Sequence, residues 1–222
     1  MKKANKWLIV VLVLVALCVS FIVFKAAERD SKRIEMQDVI NLESKAHWLI
    51  QEYMDKREDN TEVLSYHVFI HNKQVFAFFD FKPLEGSFYM RKTPLDVVER
   101  SLFYGFAKFE KRFNTYKIVD FGENRHDPEI GPGWVTGSQA QKQYRRYFYG
   151  KILDDKVAII EFYNYGILEG TYYVGDKDYY FIEINDNFGY RSHVLGTDCL
   201  RFYDKESRFL GDIDTTNYES TD

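Results

Sequence analysis

An uninterrupted apolar run near the start of the chain stands apart from the alternating patterns that follow it. Residues 7–24 are eighteen consecutive residues without a charge, and three lysines precede them. At a rise of about 1.5 Å per residue, a helix of this length nearly crosses a hydrocarbon core of roughly 30 Å. The pattern predicts a transmembrane anchor in the lipid bilayer. The lysines place residues 1–6 in the cytoplasm and the rest of the chain outside it.

A cleaved signal peptide is the alternative interpretation of this run. Signal peptides have an apolar run of about 7 to 15 residues and a small-x-small cleavage site. The run in this chain is longer, and Phe24 or Lys25 would occupy the −3 position for cleavage after Ala26 or Ala27. We therefore predict an uncleaved anchor in the cell membrane.

Residues 25–60 have the periodicity of an amphipathic helix, with charged residues filling the face opposite the apolar one. We predict a stalk helix that leaves the membrane and packs on the following domain. A dimerising coiled coil is the alternative, but clean heptads are too few to favour it. The predicted apolar face consists of Met36, Val39, Ile40, Ala46, Leu49, Ile50, Tyr53 and Met54.

Residues 61–213 alternate between apolar-aromatic runs and turn residues, which predicts an extracytoplasmic α+β domain. Its core is expected to be an antiparallel sheet of hairpins with one or two helices packed on a face. The final residues, 214–222, are predicted to be a polar, disordered tail. The four predicted hairpins turn at residues 71–73, at Asp154–Asp155, within residues 171–186 and near Asp204–Ser207.

The segment from Thr93 to Phe113 has helical spacing of its apolar residues, with Thr93 as N-cap and Pro94 as the first helical residue. It predicts one of the packed helices, and a strand is predicted directly after it. Residues 138–150 are ambiguous. Ser138 and Gln141 form a capping box that favours a helix, whereas the end of the segment favours a strand.

Composition favours β structure and argues against several function classes. The chain has 17 Tyr and 19 Phe, and aromatic side chains favour strands. The formal net charge of −4 argues against nucleic-acid binding, which normally needs a basic surface. The sequence contains no P-loop, nucleophile elbow, zinc-protease motif or dinucleotide fingerprint, so no cofactor is predicted. Cys18 and Cys199 lie too far apart in the predicted topology for a disulfide.

The segment RHDPEIGPGWVTG, residues 125–137, combines the residue types of an acid/base or metal site. His126, Asp127 and Glu129 are weak catalytic candidates on what reads as a loop. Pro128 pushes Asp127 toward extended geometry, and turn chemistry alone accounts for an Asp-Pro pair. No metal site is predicted, because two further histidines four residues apart, at 67 and 71, would be separated by roughly 13 Å on a strand.

Three aromatic residues near predicted loops are candidates for binding. Trp134 follows the Gly-Pro-Gly of the same loop, and Tyr163 and Tyr165 lie at a strand end. Such side chains stack on sugars or anchor a protein partner. The alternative for Trp134 is a plug that folds back on the sheet.

These patterns together predict a single-pass, membrane-anchored extracytoplasmic protein of bacterial type that binds a protein partner or a cell-envelope component. The prediction is non-enzymatic, because no catalytic motif is present. One alternative is a membrane-anchored envelope hydrolase that uses the loop over residues 125–134. Another is an accessory subunit of a membrane complex, contacted through the stalk helix or the anchor.

Overall fold

The computed structural model describes residues 13–15, 17–22, 25, 36–57, 59–112, 115–129, 135, 138–142, 145–164, 166–185 and 199–214. Of the predicted anchor, the described residues 13–15 and 17–22 are helical. None of the helices within the described residues combines the length and the apolar character that a membrane crossing requires. The anchor over residues 7–24 therefore stays a prediction, as does the tail, of which residues 215–222 lie outside the described part.

The chain is α+β with antiparallel sheets and few helices, which confirms this part of the predicted fold class. From residue 36 onward, the helices are α1 (Met36–Lys56), α2 (Phe88–Lys92) and α3 (Leu95–Arg100). The strands are β1 (Thr61–His71), β2 (Gln74–Pro83), β3 (Leu102–Arg112), β4 (Thr115–His126), β5 (Ser138–Lys142), β6 (Arg145–Lys151), β7 (Ile159–Asn164), β8 (Ile167–Tyr173), β9 (Tyr179–Asn185), β10 (Cys199–Tyr203) and β11 (Phe209–Asp214).

The strands form three stacked sheets rather than the single sheet that the hairpin pattern predicts. The first sheet has the order β1-β2-β3-β4, the middle sheet β5-β6-β9 and the outer sheet β11-β10-β7-β8. Helix α1 packs on one face of the first sheet, and the middle sheet packs on the other. The outer sheet covers the far face of the middle sheet. The middle sheet is thus buried on both faces.

Side-chain alternation along the middle strands divides them between two cores. Tyr147 and Tyr149 of β6 point toward the first sheet, whereas Phe148 between them points toward the outer sheet. Tyr179 and Tyr180 of β9 divide in the same way. A strand buried on both faces reads as a continuous apolar run, because neither set of side chains meets water.

An aromatic layer fills the space between the first and middle sheets and accounts for much of the chain's Phe and Tyr content. Its rings pack at centroid separations typical of aromatic pairs, for example 4.7 Å between Phe76 and Phe181. Its members are Phe69, Phe76, Phe78, Tyr104, Phe106, Tyr147, Tyr149, Tyr179 and Phe181.

An amphipathic helix predicted within residues 25–60 is present as α1, whereas its role as a stalk from the membrane stays a prediction. Ala46, Ile50 and Met54 of its predicted apolar face are fully buried against the first sheet. The predicted burial of Ile40 is wrong, because its side chain is 55% exposed. Leu42 takes the buried position instead. The buried stripe therefore follows positions four residues apart, from 42 to 54, which is the helical repeat that brings side chains onto one face.

The long helix predicted over residues 93–113 is wrong beyond Arg100. Helix α3 ends there, and Leu102–Arg112 form β3, in which every residue from 103 to 109 is buried. Apolar residues on both faces of a strand include a subset with helical spacing, which is what the sequence pattern detected. Thr93 does not cap the helix, since its hydroxyl accepts a hydrogen bond from Arg125 at 2.8 Å.

Two of the four predicted hairpins are confirmed. β1 and β2 turn at Asn72–Lys73, whose φ angles are both positive, and β10 and β11 turn within residues 204–208. The other two are wrong, because β6 pairs with β9 and β7 pairs with β8. The turn at Asp154 is nevertheless present, since its carboxylate accepts the Lys156 N–H at 2.9 Å. It leads the chain from the middle sheet to the outer sheet instead of reversing it within one sheet. The ambiguous segment 138–150 forms strands β5 and β6.

Candidate functional site

Two carboxylates of the segment 125–137 bind one arginine of α3. Asp127 accepts two hydrogen bonds from Arg100, Nε to Oδ1 at 3.1 Å and Nη2 to Oδ2 at 3.0 Å. Glu129 lies 2.9 Å from Nη1 of the same guanidinium. The hydrogen bond from Arg100 lowers the pKa of Asp127, so this carboxyl is ionised at neutral pH. The arrangement links α3 to the end of β4 and leaves Asp127 poorly placed as a general acid.

His126 is the last residue of β4 and is buried beside this ion pair. Its Nε2 is enclosed and has no hydrogen-bond partner among the described residues. Burial lowers the pKa of His126, which keeps the ring neutral at pH 7. The structure thus brings Asp127 and Glu129 together on Arg100, whereas the enclosed Nε2 of His126 stays outside that network. The segment is also less of a loop than predicted, because Arg125 and His126 belong to a paired strand.

Within the described residues, no three His, Cys, Asp or Glu side chains are arranged so that they could hold a metal ion. His67 and His71 both lie at the edge of the aromatic layer. The ring of His67 is 5.2 Å from that of Tyr179, and the ring of His71 is 5.5 Å from that of Phe181. His71 also lies 3.8 Å from a carboxylate oxygen of Glu183. Both histidines therefore contact the aromatic layer from the edge strand β1, with His67 exposed and His71 partly buried.

Tyr163 is the one predicted binding residue that the described residues include, since Trp134 and Tyr165 lie outside them. It belongs to β7 of the outer sheet, whose alternate residues Ile160 and Phe162 point into the core. Strand alternation therefore turns Glu161 and Tyr163 to the opposite face of this sheet. The register places Arg201 of β10 directly opposite Glu161 on that face.

A network of contacts fixes the side chains at the centre of this face. The Tyr163 hydroxyl donates to Glu161 at 2.8 Å, and the Arg201 guanidinium carbon lies 4.2 Å from the centroid of the Tyr163 ring. Tyr203 hydrogen-bonds to the same glutamate, and burial together with Glu161 raises the pKa of Tyr203 to about 12. Ring and guanidinium stack at a separation typical of a cation–π contact.

Exposed apolar side chains surround this network. Phe209 of β11 packs its ring 5.7 Å from Tyr203 and is 57% exposed. Leu168 and Tyr173 of β8 are also exposed, and both lie opposite residues of the same face of β7. We call this surface the aromatic face. It consists of Glu161, Tyr163, Leu168, Tyr173, Arg201, Tyr203 and Phe209.

Sequence reasoning identified Tyr163 and missed Arg201, Tyr203 and Phe209. The predicted β10–β11 hairpin held part of the information, because alternation along it places these three residues on one face. The missing step was the pairing of β10 with β7, which are separated by 35 or more positions along the chain. No local pattern indicates such a pairing.

A half-buried carboxylate lies where α1 meets β4. Glu123 accepts a hydrogen bond from Arg57 at 3.0 Å through one oxygen, whereas its other oxygen is enclosed without a partner among the described residues. Arg57 also binds Asp59 at 3.1 Å. Burial raises the pKa of Glu123 from 4.5 to about 7 despite the neighbouring guanidinium.

The raised pKa of Glu123 predicts a pH-dependent contribution to stability that Glu123→Gln removes. The folded state holds the proton between pH 4.5 and 7 and the unfolded state does not, so this contribution is present below pH 4.5 and lost as pH rises through 7. Glu123→Gln should therefore gain stability relative to the wild type by about 2.5 kcal/mol between pH 5 and pH 8. Urea unfolding at both pH values measures it. Glu62→Gln, an exposed carboxylate on β1, is the control. Equal pH dependence in the wild type and Glu123→Gln would contradict the assignment.

Comparisons with family models, with curated proteins and with solved structures give no match. The candidate site is therefore defined by this chain's own residues. The carboxylates bound to Arg100 and to Arg57 have their partners within the molecule, whereas the apolar side chains around the aromatic face are exposed.

Proposed function

We propose that this protein is a membrane-anchored extracytoplasmic binding protein that recognises a protein partner through the aromatic face. The observation that carries the proposal is an exposed sheet face on which Tyr163 and Arg201 are held in place and ringed by apolar side chains. Tyrosine and arginine dominate the binding energy of protein interfaces, and they do so best when they are already ordered.

The contacts of the network favour a protein over a sugar polymer as the partner. A sugar-binding site needs an open aromatic ring face and polar groups free to bind hydroxyls. In this face the guanidinium of Arg201 stacks on the Tyr163 ring, and the carboxylate of Glu161 already accepts a hydrogen bond from the Tyr163 hydroxyl. What remains exposed is mostly apolar, namely Leu168, Phe209 and much of Tyr173. Such a surface suits the apolar centre of a protein interface.

The proposal includes an anchor over residues 7–24, which determines on which side of the membrane the domain lies. Its lysine-flanked apolar run supports a cytoplasmic N-terminus and a domain outside the membrane. A partner would then be another protein exposed at the same membrane surface or in the cell envelope.

An accessory-subunit role is a second candidate, because α1 exposes large apolar side chains of its own. Trp48 is 62% exposed, and Ile40 is 55% exposed. A helix of another membrane protein could bury both. The hydrolase alternative gains no such support, since Asp127 and Glu129 are both bound to Arg100.

Site-specific photocrosslinking of the full chain in its own membrane tests the proposal. A benzoylphenylalanine at position 209 is expected to yield a discrete protein adduct, and one at position 88 is not. Phe209 and Phe88 are a matched pair, since both are exposed, at 57% and 43%, and lie on different parts of the molecule. A protein adduct from benzoylphenylalanine at position 48, with none from position 209, would favour the accessory-subunit role. Loss of the adduct at position 209 in a His126→Ala background would favour the segment 125–134 as the binding site.

A further inference from the structure

Arg201 lies at the centre of the aromatic face and, among the described residues, forms no ion pair with a carboxylate. Its guanidinium stacks on the Tyr163 ring and hydrogen-bonds to the side chains of Tyr203 and Cys199. Arg201 is partly buried, and a cation that loses water without gaining a counter-charge is costly. Four other described arginines do bind carboxylates, namely Arg57, Arg100, Arg112 and Arg208.

Two carboxylates lie in register with Arg201, and neither forms an ion pair with it. Glu161 of β7 is directly opposite on one side, and Asp212 of β11 is directly opposite on the other. Glu161 instead accepts hydrogen bonds from the hydroxyls of Tyr163, at 2.8 Å, and Tyr203. Asp212 is exposed to water. The network within the sheet therefore uses Glu161 to hold the aromatic hydroxyls and leaves the guanidinium without an anion.

We propose that Arg201 binds a carboxylate of the protein partner, so that the aromatic face recognises an acidic side chain with apolar neighbours. This inference rests on the proposed function and adds the chemistry of the partner to it. A guanidinium has five N–H donors, and the contacts within the sheet leave some of them for another acceptor. Stacking on a ring occupies the face of the guanidinium, whereas its planar edge still matches the two oxygens of a carboxylate.

Exposed apolar side chains lie on both sides of Arg201. Leu168 of β8 is opposite Tyr163 in register and is 47% exposed, and Phe209 of β11 is opposite Tyr203 and is 57% exposed. Apolar residues of a partner that contact these two side chains would exclude water from a carboxylate bound between them. The charge pair would gain strength from that exclusion, as it does at the centre of protein interfaces.

The charges around Arg201 favour one carboxylate of a protein over an anionic membrane surface. Adsorption to anionic lipid uses clusters of several lysines or arginines. In this face Arg201 lies between the register positions of Glu161 and Asp212, and the chain has a formal net charge of −4. An extended negative surface would therefore meet repulsion from both neighbours, whereas a single carboxylate can bind to Arg201 alone.

Selection from a random peptide library displayed on phage provides the first test, with the full chain in detergent as the bait. The wild type should enrich peptides that carry Asp or Glu beside an apolar residue, and Arg201→Glu should enrich peptides with Lys or Arg instead. Arg91→Glu, which reverses an exposed arginine of α2, should select the same peptides as the wild type. A wild type that enriches no acidic peptides, or an Arg201→Glu variant that still selects acidic ones, would overturn the proposal.

The dissociation constant of one selected peptide provides the second test, which does not depend on a charge reversal in the sheet. Replacing the acidic residue of the peptide by its amide should raise the dissociation constant for the wild type at least about tenfold. The same replacement should leave the dissociation constant for Arg201→Gln unchanged, because the carboxylate has lost its partner there. Equal losses for the wild type and Arg201→Gln would overturn the proposal.

The outcomes separate this inference from the proposed function. A partner adduct at position 209, combined with peptide binding that needs no acidic residue, would overturn carboxylate recognition and leave the proposed function intact. Acidic peptides bound through Arg201, without any adduct at position 209 in native membranes, would count against the proposed function alone. Arg201-dependent binding to phosphatidylglycerol vesicles, with no acidic peptide enriched, would assign the anion to lipid and overturn the inference.

Discussion

Replacing Phe181 by alanine is expected to lower the free energy of unfolding by about 3–5 kcal/mol. Phe181 lies at the centre of the aromatic layer, with ring centroids at 4.7 Å from Phe76, 5.3 Å from Phe106 and 5.6 Å from Tyr147. Its truncation would open a cavity between two sheets whose backbones are fixed by their own hydrogen bonds. Chemical denaturation of the full chain measures the change.

Phe209→Ala is the matched control for this prediction, because it removes the same atoms from an exposed position. Its effect on stability should remain within about 0.5 kcal/mol. Equal losses for Phe181→Ala and Phe209→Ala would mean that the aromatic layer does not hold the first and middle sheets together.

Gly105→Ala is expected to cost about 1–3 kcal/mol or more, which is large for the addition of one methyl group. A Cβ at this position would lie 2.4 Å from the Gly122 carbonyl oxygen and 2.6 Å from Cζ of Phe79. The first contact is with the backbone of the neighbouring strand, so a change of side-chain rotamer does not relieve it. The glycine allows β3 and β4 to approach closely beneath the Phe79 ring.

Gly170→Ala is the control for this substitution, because a Cβ there meets nothing within 4 Å. Its free energy of unfolding should match that of the wild type within about 0.5 kcal/mol. A Gly105→Ala variant as stable as Gly170→Ala would contradict the close approach of β3 and β4.

Local patterns in the sequence predicted the elements that local interactions determine. Helix α1 follows from its apolar stripe, and the turns at Asn72–Lys73 and Asp204 follow from turn residues between apolar runs. The pattern failed where burial on both faces erased it, as in β3, whose residues 103–109 are all buried. A segment without a polar face carries no period that distinguishes a strand from a helix.

Sheet pairing and the candidate sites depend on contacts between distant residues, and this is where prediction from the sequence stopped. Asp127 was identified by its residue type, but its role follows from Arg100, which lies 27 positions earlier. Tyr163 was identified as a binding candidate, but the residue stacked on it, Arg201, comes from another hairpin. Nothing local to either residue indicates these partners, since they meet only after the sheets have paired.

The most direct test of the central claim is the photocrosslink from position 209, compared between Arg201→Ala and Arg91→Ala backgrounds in native membranes. Arg201 stacks on Tyr163 in the aromatic face, whereas Arg91 is an exposed arginine of α2. The aromatic face as a protein-binding surface predicts that the adduct forms, is lost or strongly reduced with Arg201→Ala, and is unchanged with Arg91→Ala. No adduct at position 209, or an adduct that both substitutions leave unchanged, would contradict it.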